Sequence, residues 1–386
     1  MNLAEQMNQL ADAADLRLLP DAEDIRRTGD GIRRRRRTRL SVGAAALAVL
    51  AVVATLAITS MPASRPAPQP AGTIDGWRLV RTLTVPGTGA TVTGAGSVWV
   101  VDMQRGELMQ DGRTPAGSLY QVDPATGEVL DRVTGAVGGW PTIGGGAIWL
   151  CTAVGDLNLL TRVDLQTHDV TQLRTSSPAQ LPHGTALAQR NLWAANWASG
   201  DLVRLDPTTG QARQTIHLGD GGSGQAPSNP MSDGHSVWVA SHDGLVTRFD
   251  GTTGTKMSQL QLPAFDVALT GIDPARHVLY AQSRATIYEI STTPGRRDKL
   301  ARELDVTPHR VDVTIAGSAL GTGALWVATL NPDELLRIDP NTLHVTGRMP
   351  LTGIDHGSNV PVALAAADRS VWVRLPGKVL QLSPGP

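Results

Sequence analysis

Residues 182–211 read PHGTALAQRNLWAANWASGDLVRLDPTTGQ. Trp193 stands in a short apolar run, and a second run, LVRL, ends at Asp206-Pro207-Thr208-Thr209-Gly210. Pro presets a negative φ and Gly permits a positive one, so this acidic segment reverses the chain between two antiparallel strands. Short apolar runs bounded by turn residues read as strands rather than helices.

The same unit recurs on both sides. Trp99, Trp149, Trp193, Trp238, Tyr280, Trp326 and Trp372 each sit in such a run, at spacings of 50, 44, 45, 42, 46 and 46 residues. The runs are GSVWVVD, GAIWLCT, NLWAAN, SVWVAS, HVLYAQS, GALWVAT and SVWVRL. Acidic turns follow at Asp123, Asp164, Asp206, Asp250 and Asp339. A period near 45 with one aromatic per unit predicts the four-stranded blades of an all-β propeller. We letter the strands of a blade a to d: the aromatic run is b, the run before the acidic turn is c, and the run after it is d.

The last repeat stops at Leu382-Ser383-Pro384 without a d strand, while GWRLVRTLTV, Gly76 to Val85, precedes the first repeat without a turn partner. This N-terminal strand is predicted to complete the last blade, so that seven blades close over residues 76–386 and no sheet edge is left at the seam. The five turn aspartates are read as turn-formers, since their side chains have a sufficient role in bonding local backbone. With one cysteine, Cys151, the chain has no internal disulfide framework. A formal charge of −1 gives no reason to expect nucleic acid as a partner.

Residues 1–75 are of another kind. Leu40 to Ser60 is an uncharged apolar run of membrane-spanning length, predicted to be a transmembrane helix over residues 40–60. Arg33, Arg34, Arg35, Arg36, Arg37 and Arg39 precede it. They orient residues 1–39 to the cytoplasm and the propeller to the outside of the cell membrane, as a single-pass protein with an uncleaved anchor. Membrane lipid is then a partner through residues 33–60, the arginines lying at the headgroups. Residues 61–75 contain PASRPAPQPA and read as a semi-rigid spacer. In residues 1–32, Leu3, Met7, Leu10 and Ala14 form one narrow stripe of a short helix.

The unit at 182–211 resembles the repeat of bacterial propellers that include virginiamycin B lyase and the YVTN surface-repeat proteins, whose units run PxGIA, LWVTN and GxVxRIDPxTG. The resemblance covers all seven blades and implies the propeller fold. For the lyase it would imply a metal-assisted elimination site with His and Glu near the b-strand ends. Those positions here are Asp102, Thr152, Asn196, Ser241, Ser283, Thr329 and Leu375, with no Glu among them. The layout of short stub, arginine run, anchor, spacer and propeller resembles actinobacterial membrane proteins that accompany sigma factors. This implies a cytoplasmic sigma factor as a candidate partner of residues 1–32.

The b-to-c and d-to-a loops share one face of a propeller, here called the top. Onto it we place Trp140, His183, Asn196, Trp197, Asn229, His242, His309, Arg310, His356 and Asn359 as ligand-binding candidates. His168 and His344 fall in c–d turns, His235 and His277 in a–b turns, and His217 in a d strand, all read as lying away from the top. His309, Asp312, Asp355 and His356 are the one set on adjacent blades with metal-binding residue types, at no recognised ligand spacing. We assign no catalytic residue, metal or cofactor. The loop 103–116, with Glu107, Asp111 and Arg113, overhangs the same face. The expectation is a non-enzymatic module that binds an extracytoplasmic ligand or protein, in a sensory or regulatory role. The alternatives are a lyase or hydrolase with a top-face site, and a surface scaffold.

Overall fold

The computed structural model describes residues 76–384, apart from 87–88, 104–116, 137, 155–156, 176–183, 222–225, 307–312, 352–361 and 368. The described residues form 28 strands in seven four-stranded sheets. No helix long and apolar enough to cross a membrane occurs among them. The expected cytoplasmic helix, transmembrane helix 40–60 and spacer 61–75 lie outside the described residues.

Blades 1 to 6 take four consecutive strands each, from residues 91–134, 142–174, 185–217, 231–261, 268–305 and 314–350. The seventh takes Ala363–Ala367, Ser370–Leu375 and Lys378–Pro384 from the C-terminus, and Trp77–Thr84 from the N-terminus as its outer strand. Trp77 pairs with Pro384 and Thr84 with Lys378, antiparallel. Closure by the orphan strand is therefore as the repeat count requires. The seven innermost strands touch one another in succession around a central channel.

All seven repeat aromatics are buried, none more than 4% exposed. Across the b–c pair, Trp149 faces Arg162, Trp193 faces Arg204 and Trp238 faces Arg248. These guanidiniums lie 5.9, 5.8 and 4.7 Å from the ring centres, within cation–π range. Trp99, Trp149 and Trp326 donate Nε1 to the carbonyls of Gly94, Gly144 and Gly321 in their own a–b turns, whereas in blades 3 and 4 the c–d turn of the following blade bonds the indole. Trp193 Nε1 donates to the Gly251 carbonyl at 3.1 Å, and Trp238 Nε1 to Asp298 Oδ2 at 2.9 Å. The Tyr280 hydroxyl reaches the Pro340 carbonyl at 3.3 Å. In blades 3 to 5 the repeat aromatic is thus a blade-to-blade fastening as well as core.

The turns behave as their sequence implies. Asp123 Oδ1 accepts the N–H groups of Ala125 and Thr126 at 2.8 and 2.7 Å, and Asp250 Oδ1 those of Thr252 and Thr253 at 3.0 and 2.8 Å. Four residues after these aspartates, Gly127 and Gly254 adopt φ of 69° and 72°. In blade 2 that position is His168, at φ 60°, and in blade 6 it is Leu343, at φ 56°. His168 turns its unusual placement to use: its ring meets Trp99 of blade 1 edge-on at 5.7 Å, and Nδ1 lies 2.5 Å from Asp131 Oδ2.

Candidate functional site

A cavity of about 550 Å³ opens in the channel between the inner strands of blades 1 to 5. Small-molecule sites fall in this size range. Two of the sequence candidates, Trp140 and Asn229, line it. Trp140 is placed by Gly138 and Gly139. A Cβ at Gly138 would come 2.4 Å from the Leu150 Cβ, and the Gly139 N–H bonds the Cys151 carbonyl at 3.1 Å. Glycine at 138 lets the backbone lie this close to strand b of blade 2 before presenting the indole. Asn229 follows Pro227 and Ser228, which pair with Ser241 and the Ala240 carbonyl of strand b in blade 4. Its side chain packs on Gly184, where an added Cβ would come 3.0 Å from Asn229 Oδ1.

The other described candidates stand in the rim. Asn196 is fully buried, and its Oδ1 accepts the N–H groups of Ala198 and Ser199 at 3.0 and 3.1 Å, so it builds the b–c turn of blade 3. Trp197 is half-buried in that turn. His242 Nδ1 lies 2.8 Å from Asp266 Oδ1, joining the b–c turn of blade 4 to the loop that leads into blade 5. His183, His309, Arg310, His356 and Asn359 lie outside the described residues, as do Asp312, Asp355 and the arginines 33–37 and 39. Among the described residues, no three His, Cys, Asp or Glu side chains gather as a metal site.

His217 is a correction. It is the last residue of strand d in blade 3 and pairs with Asp201, the first of strand c, so it stands at the top rim rather than away from it. Its Nδ1 lies 2.9 Å from Asp201 Oδ1. Assignment to a strand had hidden its place at the strand's end.

The polar residues ending the b strands close turns and loops. Ser241 Oγ donates to the Leu245 carbonyl at 3.2 Å, and Thr329 Oγ1 to the Pro332 carbonyl at 2.8 Å. Ser283 Oγ donates to the Phe265 carbonyl. Asp102 has a different environment. It is 1% exposed, and its charge acts on Arg374, also 1% exposed, at the end of strand b in blade 7. Burial lowers the Arg374 pKa, and Asp102 opposes that shift. The guanidinium donates to the carbonyls of Val85 and Pro86, both at 3.0 Å. Cys151 is fully packed, and burial pushes its thiol up to about 12, which leaves it protonated and inert at neutral pH.

Three features of the top escaped sequence reasoning. Phe265 is 72% exposed in the loop after blade 4, and the only cue was an aromatic in a chain with two phenylalanines. Arg374 was visible as a charge within the apolar run SVWVRL. Thr91 and Thr185, on inner strands of blades 1 and 3, line the cavity and carried no signal.

No protein-family model matches the sequence, and a search of curated proteins returns no match. Among solved structures, the chain is similar to the Cps50 (Swd1) β-propeller domain of Myceliophteria thermophila. The two are 11% identical, with 80% of this chain and 99% of that one covered at a TM-score of 0.61. A chain from a crystal structure of the mitotic checkpoint complex is 10% identical, with 85% and 100% covered at 0.57. BamB from Moraxella catarrhalis is 16% identical, with 80% and 99% covered at 0.51. At these identities the likeness is one of fold.

Proposed function

We propose that this chain is a membrane-anchored, extracytoplasmic propeller whose top face binds a ligand or a protein. The observation that carries this is Phe265, 72% exposed on the face that holds the channel mouth. A single exposed apolar side chain is ordinary. This one is held out by a built loop: Ser283 bonds its carbonyl, and the next residue, Asp266, takes φ 55° and engages His242. Aromatic side chains, phenylalanine among them, are enriched in the cores of protein interfaces. One similar chain comes from the mitotic checkpoint complex, so the fold serves in protein assemblies, which supports a protein partner here.

In this reading residues 33–60 hold the membrane, residues 61–75 space the propeller from it, and residues 1–32 face a cytoplasmic partner, for which a sigma factor is the candidate. The apolar run 40–60 and the arginines before it support that placement.

Two measurements test it. A photo-crosslinking amino acid placed at Phe265 in the full-length chain in cells should give discrete adducts. The same group at Ala125, in an exposed c–d turn on the opposite face, should give none. Equal adducts at both positions would refute a top-face site. Protease added to spheroplasts should remove a C-terminal tag and spare an N-terminal one; the reverse would refute the orientation.

A further inference from the structure

Among the described residues six large apolar side chains are exposed, and four of them fall on two adjoining outer strands. Leu79 and Val80 are consecutive on strand d of blade 7, Val129 and Leu130 on strand d of blade 1, and each is about half exposed. The strands meet where Arg81, the residue after Val80, donates to the carbonyl of Gly127, two residues before Val129, at 3.3 Å. The two doublets also hold equivalent places. One residue of each strand bulges out of the ladder, Val80 between Leu79 and Arg81, and Leu130 between Val129 and Asp131. The same bulge falls on Arg213, Met257, Ala301 and Thr346 in blades 3 to 6, preceded by Ala212, Lys256, Leu300 and Val345. Of these six blades, only 7 and 1 expose two large apolar side chains there.

Three observations bear on what covers this rim. A bulge leaves its residue unpaired and bends the strand, which opposes the addition of a strand from a second copy. The chain coming from residues 1–75 enters here: Trp77 opens strand d opposite Pro384, at the end away from the top. Arginines surround the doublet of blade 7. Arg78 and Arg81 bracket it and are exposed, and Ser383, which pairs with Arg78, bonds the carbonyl of exposed Arg369 at 3.3 Å. The carboxylates near the doublet of blade 1 are Glu128, and Asp131, which His168 engages.

Aliphatic side chains among arginines match a phospholipid surface, whose acyl boundary takes the former and whose phosphates take the latter. We propose that this rim rests on the membrane, with Leu79, Val80, Val129 and Leu130 entering the headgroup–acyl boundary and Arg78 and Arg81 meeting anionic headgroups. The inference rests on the membrane-anchored reading and adds a second lipid contact to it. Four side chains make a weak site, but residues 61–75 tether it, and tethering raises occupancy without any new bond. The top face is left free for its own partner.

The test uses the full-length chain in nanodiscs of phosphatidylcholine and phosphatidylglycerol, part of the lipid carrying a doxyl quencher on its acyl chain. The one native cysteine, Cys151, is buried, so a fluorophore can be placed on a single introduced cysteine. Dyes on Val80→Cys and on Leu130→Cys should lose most of their emission to the quencher. The dye on Met257→Cys, the same bulge across the ring, should keep its own. Changing Leu79, Val129 and Leu130 together to Ser should restore emission at position 80 and leave the melting temperature unchanged, since these side chains are exposed. A dye on Ala51→Cys, within the apolar run, reports the anchor separately. Quenching at 51 without quenching at 80 and 130 would overturn the rim contact and leave the anchor standing. No quenching at 51 would remove the anchor, and the inference with it. Equal quenching at 257, quenching at 80 that survives the serine changes, or self-quenching between two chains in one disc in place of lipid quenching would each overturn the inference, the last by giving the patch to a second copy.

Discussion

Among the described residues, Arg374 is the most deeply buried arginine. An arginine buried at the closing seam is tolerable because two carbonyls and the charge of Asp102 replace its water. Removing one member strands the other. Arg374→Met is therefore expected to destabilise the chain by about 3–5 kcal/mol, the usual cost of leaving a buried charge alone. Asp102→Asn in the same chain should recover part of that loss. Urea melts of the two single variants and the double variant measure the coupling, and strictly additive effects would show that the charges act independently. Legibility at this scale follows hydropathy. The charge in SVWVRL was visible, but its partner is 272 residues away in sequence (374 − 102), a contact that only ring closure creates. Thr91 and Thr185 were illegible for another reason: threonine in a strand is unremarkable until its hydroxyl is seen to be buried without a partner among the described residues.

At the level of elements, the c–d turn was the most readable piece of the molecule, because Asp, Pro and Gly each have one local reason to be there. What could not be read was the substitution of His168 for the glycine, since its favourable contact lies on another blade. The inner strands were nearly silent. Thr142–Gly144 and Met231–Ser232 are too short to show any period, and the channel they enclose is a property of seven such strands together. The turns also set an acid response. Arg213, then the Thr208 N–H, hold the Asp206 carboxyl at about 2. The Gln166 N–H, then Arg162, do the same for Asp164. Both lie below the unfolded carboxylate value of about 3.9. The ionised form is thus favoured by folding, and the stabilisation is complete above about pH 4 and drains as pH falls toward 2. Asp206→Asn keeps a turn-forming oxygen and loses the Arg213 pair. Its stability deficit should be greatest near neutrality and shrink through that acid window. Denaturant melts across pH would contradict this if the deficit were constant.

For the whole molecule, the repeat arithmetic succeeded because seven units must close, and a closed ring constrains both ends of the chain at once. The strand Trp77–Thr84 belongs to the last blade although it comes first in sequence. Beyond its ladder with Lys378–Pro384, it supplies Trp77, whose ring meets Trp326 at 4.6 Å within the apolar cluster shared by blades 6 and 7. Blade 7 has no c–d turn to cover Trp326, because its c and d strands come from opposite ends of the chain. Trp77 does that covering instead. Deleting residues 77–84 from the full-length chain should therefore do more than shorten an edge: it exposes Trp326 and leaves the outer edge of Lys378–Pro384 unpaired, its inner edge still bonded to Ser370–Leu375. We expect a large drop in melting temperature and association through the open edge, seen by light scattering. A peptide of sequence GWRLVRTLTV added in excess should reverse both. Trp77→Ala keeps the ladder and loses only the covering ring, for about 1–3 kcal/mol, less than a fully buried tryptophan would cost. A deleted chain that melts with the parent and remains monomeric would mean that the ring does not depend on its first strand for closure.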